Sequence, residues 1–357
     1  MSFKSVLEKY RKIVDSELNL YLDGRIKNCS DEFIRLSYSY MKDYVLCGGK
    51  RLRPIALIMG YFAVTGKIDG RIKKAGLCVE FLHSATLVHD DVMDEDEYRR
   101  DSPTMHKKFR DYFIDKNREM QYEGALFSKE SSRFAVANAI CGGNILFTMG
   151  CECILDSEFR ESCVKEALEI YNECYMIVNE GQIMDNYFER RDINEKDYMS
   201  MSWKKTGELF LSSIMIGAKL GNARGKELKA LSSYAKSAAS AFQLQDDILS
   251  VNKEHKNKYG EDIRKGKRTL LIIKALENSG EEQQEEIKKV LGKEDASSEQ
   301  IDKVVKAMEE TGALEYVQNL AKKKIEKGKR ELKDAKINKK ALEFFYGFAD
   351  FMLSRSK

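Results

Sequence analysis

The sequence predicts an all-α protein, a single domain of many helices packed around a deep central cavity. Three observations carry that reading. Of 357 residues 43% are hydrophobic and only 2 are proline, the residue that breaks helix interiors. Apolar residues recur at helical spacing along most of the chain. Strand-like alternation is scarce, and neither an internal repeat nor a low-complexity linker divides the sequence.

The first helical pattern covers residues 3–23. Gly48-Gly49-Lys50-Arg51-Leu52-Arg53-Pro54 interrupts it, and an apolar helix follows from Pro54 to Thr65. Residues 71–94 read as one long helix, apolar until it meets an acidic run. Residues 95–108 are polar, with Pro103 marking a turn. Residues 110–133 are polar and weakly patterned, and read as an insertion forming a mobile loop or short helix. Helical patterns resume at 134–154, 158–189, 195–220, 225–251, 268–278, 283–292, 298–311, 313–335 and 339–354.

Charge and composition exclude several classes. The formal net charge of +3 gives no global field for a nucleic acid. The 8 cysteines lack the paired spacing of a zinc site and sit mostly in apolar runs, as buried thiols of a reducing compartment do. MSFKSVLEKYRK lacks the apolar stretch of a signal peptide, and no uninterrupted apolar run is long enough to span a bilayer. The expectation is a cytoplasmic protein without a transmembrane segment.

Two acidic clusters carry the chemistry. In His89-Asp90-Asp91-Val92-Met93-Asp94, Asp90 and Asp94 are four apart and share a helical face, while Asp91 points elsewhere. His83 lies two turns below Asp90 on nearly the same face. Far downstream, Asp246-Asp247 follows Phe242-Gln243, and Ser250 stands where a carboxylate would match Asp94. Taken alone, the first cluster could be an exposed acidic helix end. The apolar lead-in and the second cluster argue against that. Crowded carboxylates repel unless a cation sits between them, and Mg2+ characteristically bridges a few carboxylates to a substrate phosphate. Basic sets stand beside both clusters: Lys50 and Arg53 at the glycine turn, Arg99 and Arg100, Lys205 before Thr206 and Gly207, then Lys258 and Lys267. Any one of 61 basic residues is most simply solvated surface, so the weight rests on the sets. Together they describe an enzyme that handles diphosphates through Mg2+.

These segments resemble the trans-isoprenyl diphosphate synthases (polyprenyl synthetases) of the farnesyl and geranylgeranyl type. The matching pieces are GGKRLRP at 48–54, FLHSATLVHDDVMDEDEYRRDSPTMH at 81–106, EGQIMD at 180–185, KKTGELF at 204–210, FQLQDDIL at 242–249 and KYGEDIRKGKRTLL at 258–271. They occur in the family's order, and together they are far more specific than any one motif.

The resemblance implies the isoprenoid-synthase fold, a homodimer, and head-to-tail condensation of an allylic diphosphate with isopentenyl diphosphate. It implies three Mg2+ held by Asp90, Asp94 and Asp246, with Asp91 and Asp247 in support. Arg99, Lys205, Lys258 and Lys267 would complete the allylic diphosphate site. Lys50, Arg53, His83 and Arg100 would hold the diphosphate of isopentenyl diphosphate. Thr206 and Gln243 would face the reacting carbons, with Gln182 as a wall residue. In this family, bulky aromatics at the positions of Ala85 and Thr86 stop growth at farnesyl. Both are small in this chain, and Phe81 and Leu82 lie one turn deeper, so geranylgeranyl diphosphate is the expected product, with farnesyl or mixed products the alternative.

The departures are Ser250, Gly143-Asn144 where Gly-Asp is common, and the 110–133 insertion. A terpene cyclase would share the first acidic motif but would not need Lys50, Arg53 and His83. A non-catalytic regulatory subunit would usually have lost one of the two motifs.

Overall fold

A computed structural model describes residues 3–117, 119–189, 191–255 and 259–354. It is all-α, as expected, apart from one two-stranded hairpin. In chain order the helices are α1 (Phe3–Lys27), α2 (Glu32–Leu46), α3 (Leu52–Thr65), α4 (Gly70–Ala75) and α5 (Leu77–Met93). The hairpin β1 (Tyr98–Arg99) and β2 (Ser102–Pro103) precedes α6 (Met105–Lys116), α7 (Glu130–Leu155), α8 (Glu161–Phe188) and α9 (Glu195–Ser202). A π-turn at Trp203–Gly207 leads into α10 (Glu208–Leu220), α11 (Gly225–Ser250) and α12 (Glu261–Arg264). The rest are α13 (Leu270–Asn278), α14 (Glu281–Val290), α15 (Ser298–Glu310), α16 (Ala313–Lys333) and α17 (Lys339–Ser354). The chain forms two compact units, Met1–Asn172 with Ile216–Asn222, and Glu173–Met215 with Ala223–Lys357.

In the first unit, α3 is buried on every side from Pro54 to Tyr61, as a helix apolar all round must be. Pro54 is tolerated because it falls in the first turn, where its missing N–H has no intrahelical acceptor. The stretch expected as one helix over 71–94 is divided at Gly76 into α4 and α5. A side chain at Gly76 would press on the Ile72 carbonyl at 3.1 Å and on Ile58 at 3.4 Å, so a close approach fixes the break. α7 lies along α5 with a face of small residues, Ala135, Ala139, Gly142, Gly143 and Gly150, that lets the two backbones approach. The expected insertion narrows, because α6 absorbs residues to Lys116 and α7 begins at Glu130. Between them Gln121 bridges to Lys129, and the Ser131 hydroxyl donates to Glu119 at 2.5 Å.

The second unit is built on α11, with Leu231, Tyr234, Ala238, Ala241, Leu244 and Ile248 buried along it. α13, α15 and α16 add Leu270, Ile273, Ile301, Val304, Val317 and Ala321 to a continuous core. Helix starts are chemically marked. Asn194 and Asp197 form a reciprocal capping box on α9, and Ser297 and Gln300 do so on α15. The helix expected over 195–220 is interrupted by the π-turn, whose i→i+5 spacing the apolar periodicity does not encode.

Among the described residues, α7 is the one helix long and apolar enough to cross a membrane by length and composition. Its face of small residues packs on α5 within its unit.

The close approach of α10 to α3 gives a stability test. A Cβ at Gly217 would run into the carbonyl oxygen of Leu57 and lie 3.0 Å from the amide nitrogen of Tyr61. Gly217→Ala should cost about 1–3 kcal/mol through overpacking. Gly24→Ala, in an open stretch of α1, should be neutral or stabilising by up to about 1 kcal/mol. Thermal denaturation of both variants checks the contrast, and equal Tm values would contradict it.

Candidate active site

In the first unit the candidate residues begin at the glycine turn before α3. Gly48 and Gly49 have φ of 64° and 113°, values open to glycine, and Arg51 is held at 51° in spite of its side chain. Arg51 is buried, and its guanidinium donates to Asp15 at 2.7 Å and to Glu80 at 2.5 Å. A buried charge persists only when so paired. Arg51 thereby anchors the turn that carries exposed Lys50 and part-buried Arg53.

From the opposite side comes the hairpin. Its two turn residues, Arg100 and Asp101, both have positive φ, 52° and 62°, in a geometry that usually takes Asn-Gly. The side chain of Arg100 donates to the carbonyls of Cys47 and Gly48, each at 3.0 Å, clasping the hairpin to the glycine turn. A cavity of about 270 Å3 lies between these parts, with Arg51, His83, Leu87, Arg99, Arg100 and Lys108 in its wall. Burial pushes the His83 imidazole well below its ordinary value, and the positive charges of Arg53, Arg100, Arg99 and Arg51 push it further. Arg51, Arg99 and Lys108 are partnered by Glu80, Asp91 and Asp43, and basic side chains gathered in this way around one imidazole suit a polyanion.

The acidic end of α5 divides its labour. Asp91 is 1% exposed and accepts from the Tyr44 hydroxyl at 2.5 Å and from Arg99 at 2.6 Å and 2.5 Å. Burial still holds its carboxyl above the usual range. Asp90 remains part-exposed, 3.6 Å from Arg99, and Asp94 is the exposed C-cap of α5. His89 packs its ring on Gly143 of α7, where any side chain would collide. That contact accounts for the glycine of Gly143-Asn144.

The second acidic motif, within the second unit, repeats the scheme. Asp247 is 3% exposed and accepts from the buried Tyr198 hydroxyl of α9 and from the Gln243 amide nitrogen, the latter at 3.0 Å. Burial raises the Asp247 carboxyl to about 8, and the negative charges of Asp262 and Asp246 add to the shift. Asp262, on α12, is likewise raised by burial, against the pull of Lys267. The Ser250 hydroxyl donates to the Asp247 carbonyl at 2.8 Å and lies beside the Asp262 carboxylate. Asp262 thus supplies a third acid where α11 itself carries Ser250. Lys267 stands 4.0 Å from Asp262, whereas Lys258 lies outside the described residues.

Lys205 and Thr206 sit in the π-turn, a backbone irregularity that is frequent at functional sites. Glu180 accepts from Lys204 and Asp185 from Lys205, each at 2.5 Å. Any side chain at Gly181 would strike the Lys205 backbone. Three residues of the EGQIMD segment therefore fix this turn. Gln182, the expected wall residue, donates to Asn186 of its own helix at 3.1 Å. Because the nitrogen of the Gln243 amide is used by Asp247, its oxygen is left for another partner.

Of the chain-length positions, Phe81, Leu82 and Ala85 are fully buried and Thr86 is partly exposed, its hydroxyl bonded to the His83 carbonyl at 2.8 Å. Phe81 meets the Tyr21 ring at 5.1 Å. Arg51, Tyr44, Tyr198, Asp185 and Asp262 are the functional neighbours that sequence reading did not single out. Arg51, Asp185 and Asp262 lay inside the quoted motifs, and Tyr44 and Tyr198 carry no local signal.

The donor set fits Mg2+. It offers hard carboxylate oxygens, and Asp247 and Asp262, raised first by burial, also feel the negative charge of Asp246. Among the described residues no three acidic, histidine or cysteine side chains form a closed cage. An ion that takes one or two carboxylates and shares its other positions with substrate oxygens and water suits such a site.

Comparison with known proteins agrees. A sequence profile described as polyprenyl synthetase matches residues 35–308. The geranylgeranyl diphosphate synthase of Methanosarcina mazei is 31% identical over 322 residues, 89% of each chain. That of Sulfolobus acidocaldarius is 32% identical over 282 residues, 77% of each chain. A crystal structure of geranylgeranyl pyrophosphate synthase from Corynebacterium glutamicum, complexed with isoprenyl diphosphate and magnesium, superposes with a TM-score of 0.87 at 25% identity, covering 98% of this chain and 99% of that one. With both acidic motifs and their basic sets in place, the chain belongs to the polyprenyl synthetase family and is a prenyltransferase.

Proposed function

We propose that the protein condenses an allylic diphosphate with isopentenyl diphosphate, head to tail, and that geranylgeranyl diphosphate is its main product. The observation that carries this reading is the arginine-ringed His83 cavity beside an Asp90/Asp94 helix end. A cyclase, which ionises one diphosphate, has no use for that second anion site.

Asp90, Asp94 and Asp246 would hold Mg2+, three ions in all, with Asp91 and Asp247 acting behind them through Tyr44, Arg99, Tyr198 and Gln243. Bound Mg2+ supplies charge neutralisation of the diphosphate leaving group. Arg99, Lys205, Lys258 and Lys267 bind the same diphosphate and stabilise it as the allylic C–O bond breaks. The Lys205 carbonyl, the Thr206 hydroxyl and the Gln243 amide oxygen face the resulting cation. Lys50, Arg53, His83 and Arg100 hold isopentenyl diphosphate so that its double bond attacks. The proton lost from the new carbon skeleton passes to the departing diphosphate, which explains why no protein base is needed.

Small Ala85 and Thr86 leave the growing tail room to pass toward Phe81 and Leu82. The relatives' names support the same product length. We also propose a homodimer formed through α7. Its exposed face runs Ala137, Ile140, Cys141, Asn144 and Thr148 without a charged residue, although Ile140 is 45% exposed. An uncharged stripe of this kind suits a second copy of the chain.

Purified protein given isopentenyl diphosphate, an allylic primer and Mg2+ should release diphosphate and form geranylgeranyl diphosphate. A hydrocarbon made without consumption of isopentenyl diphosphate, or no product at all, would overturn the reading. Asp90→Asn and Asp246→Asn should each lower kcat by about 100-fold or more, with circular dichroism unchanged. Ala85→Phe should shift the product toward farnesyl diphosphate on chromatography, and an unchanged distribution would argue against a tail along α5.

The lowered His83 has a definite sign. The folded imidazole stays neutral at pH 6, where an unfolded histidine near about 6.5 is largely protonated, so its contribution to stability declines as pH falls through that range. Isopentenyl diphosphate adds negative charge and should raise its titration. NMR of the 4 histidine rings, assigned with His83→Gln, checks both statements. Finally, Ile140→Lys should yield monomers in sedimentation velocity.

A further inference from the structure

We propose that a second cavity, bounded by Trp203, α11 and α16, is a binding site for a phosphate or diphosphate anion. It measures about 260 Å3 and is lined by Trp203, Lys236, Ser237, Ser240, Lys324 and Lys327. Liquid water takes up roughly 30 Å3 per molecule, so a diphosphate would fit with several waters. The site lies entirely within the second unit, and none of its residues belongs to the substrate-binding sets assigned above.

Two independent observations point to an anion. First, three lysines meet around one cavity, and none forms an ion pair with a described acid. The acids whose charge reaches them are engaged elsewhere. Glu208 accepts from Ser212 and from the Trp203 indole N–H, and Glu195 pairs with Lys274 and accepts from Tyr316. Lys236 and Lys327 are exposed and Lys324 is half-buried, and an anion in the cavity would draw on all three charges. Second, Ser237 is 5% exposed and opens into the cavity, yet its hydroxyl has no hydrogen-bond partner among the described residues. That oxygen is reached from the open side of the cavity, where a phosphate oxygen would accept its proton. Ser240, by contrast, already donates to the Lys236 carbonyl at 2.9 Å.

The position gives the site a consequence. Trp203 opens the π-turn, and its ring rests on Gly207, which closes it. An anion seated against Trp203 therefore bears on both ends of the segment that holds Lys205 and Thr206. The segment 322–340, which sequence alone presents as a solvated lysine face, acquires through Lys324 and Lys327 a specific part.

Trp203 is the chain's single tryptophan, so its fluorescence reports the site directly. Inorganic diphosphate should be titrated at constant ionic strength with EDTA present, which silences the Mg2+-dependent substrate site. A saturable change is expected, weakened at least about 10-fold in Lys324→Ala/Lys327→Ala and severalfold in Ser237→Ala. Far-UV circular dichroism and Tm should be unchanged in these variants.

Parallel titrations with monophosphate and farnesyl diphosphate identify the source. Lysine-dependent binding of any of the three supports the site and ranks its ligands. No saturable change overturns the proposal. So does a response undiminished in the lysine variant, or one abolished instead by Arg53→Ala. The proposal is independent of the synthase reading, because an inactive protein that keeps the lysine-dependent response would defeat only the latter.

Discussion

A carboxylate can stay in a helix core only if donors reach it, and the two acidic motifs meet that demand in the same way. Each gives up its second aspartate to a tyrosine of a neighbouring helix, Tyr44 for Asp91 and Tyr198 for Asp247. A further donor completes each group, Arg99 in one case and Gln243 in the other. The first aspartates, Asp90 and Asp246, then fall on the adjacent helical face and stay part-exposed. The pair is thus an arrangement of one structural and one working acid. Its geometry comes from about 100° of helical rotation between successive residues.

The same economy governs the cationic side. Arg51 is taken up by Asp15 and Glu80, and one guanidinium nitrogen of Arg100 by two backbone carbonyls. What those contacts secure is the orientation of Lys50, Arg53 and Arg99 around His83. Fixed donors of this kind favour charge that develops during a reaction without first having to reorganise.

Much of this was legible in the sequence. Helix content, the shared face of Asp90 and Asp94, and the basic sets follow from spacing alone. The break at Gly76, the π-turn and the narrowing of the 110–133 insertion do not, because packing partners distant in sequence decide them. Neither do Tyr44 and Tyr198, ordinary helix residues until a buried acid lies opposite. Asp262 stood in plain view within a quoted motif. Its place beside Ser250 emerges only when α12 folds back on α11, as the bond from the Gly260 amide to the Ser250 carbonyl at 2.8 Å requires.

The hairpin turn has an implication for engineering. Holding Arg100 and Asp101 in the left-handed region costs about 1–2 kcal/mol each, and Asn-Gly would remove most of that strain. A thermostability screen would therefore favour this replacement. It would also delete the guanidinium that fastens the glycine loop, giving a hardier catalyst that does less, the usual exchange between robustness and turnover.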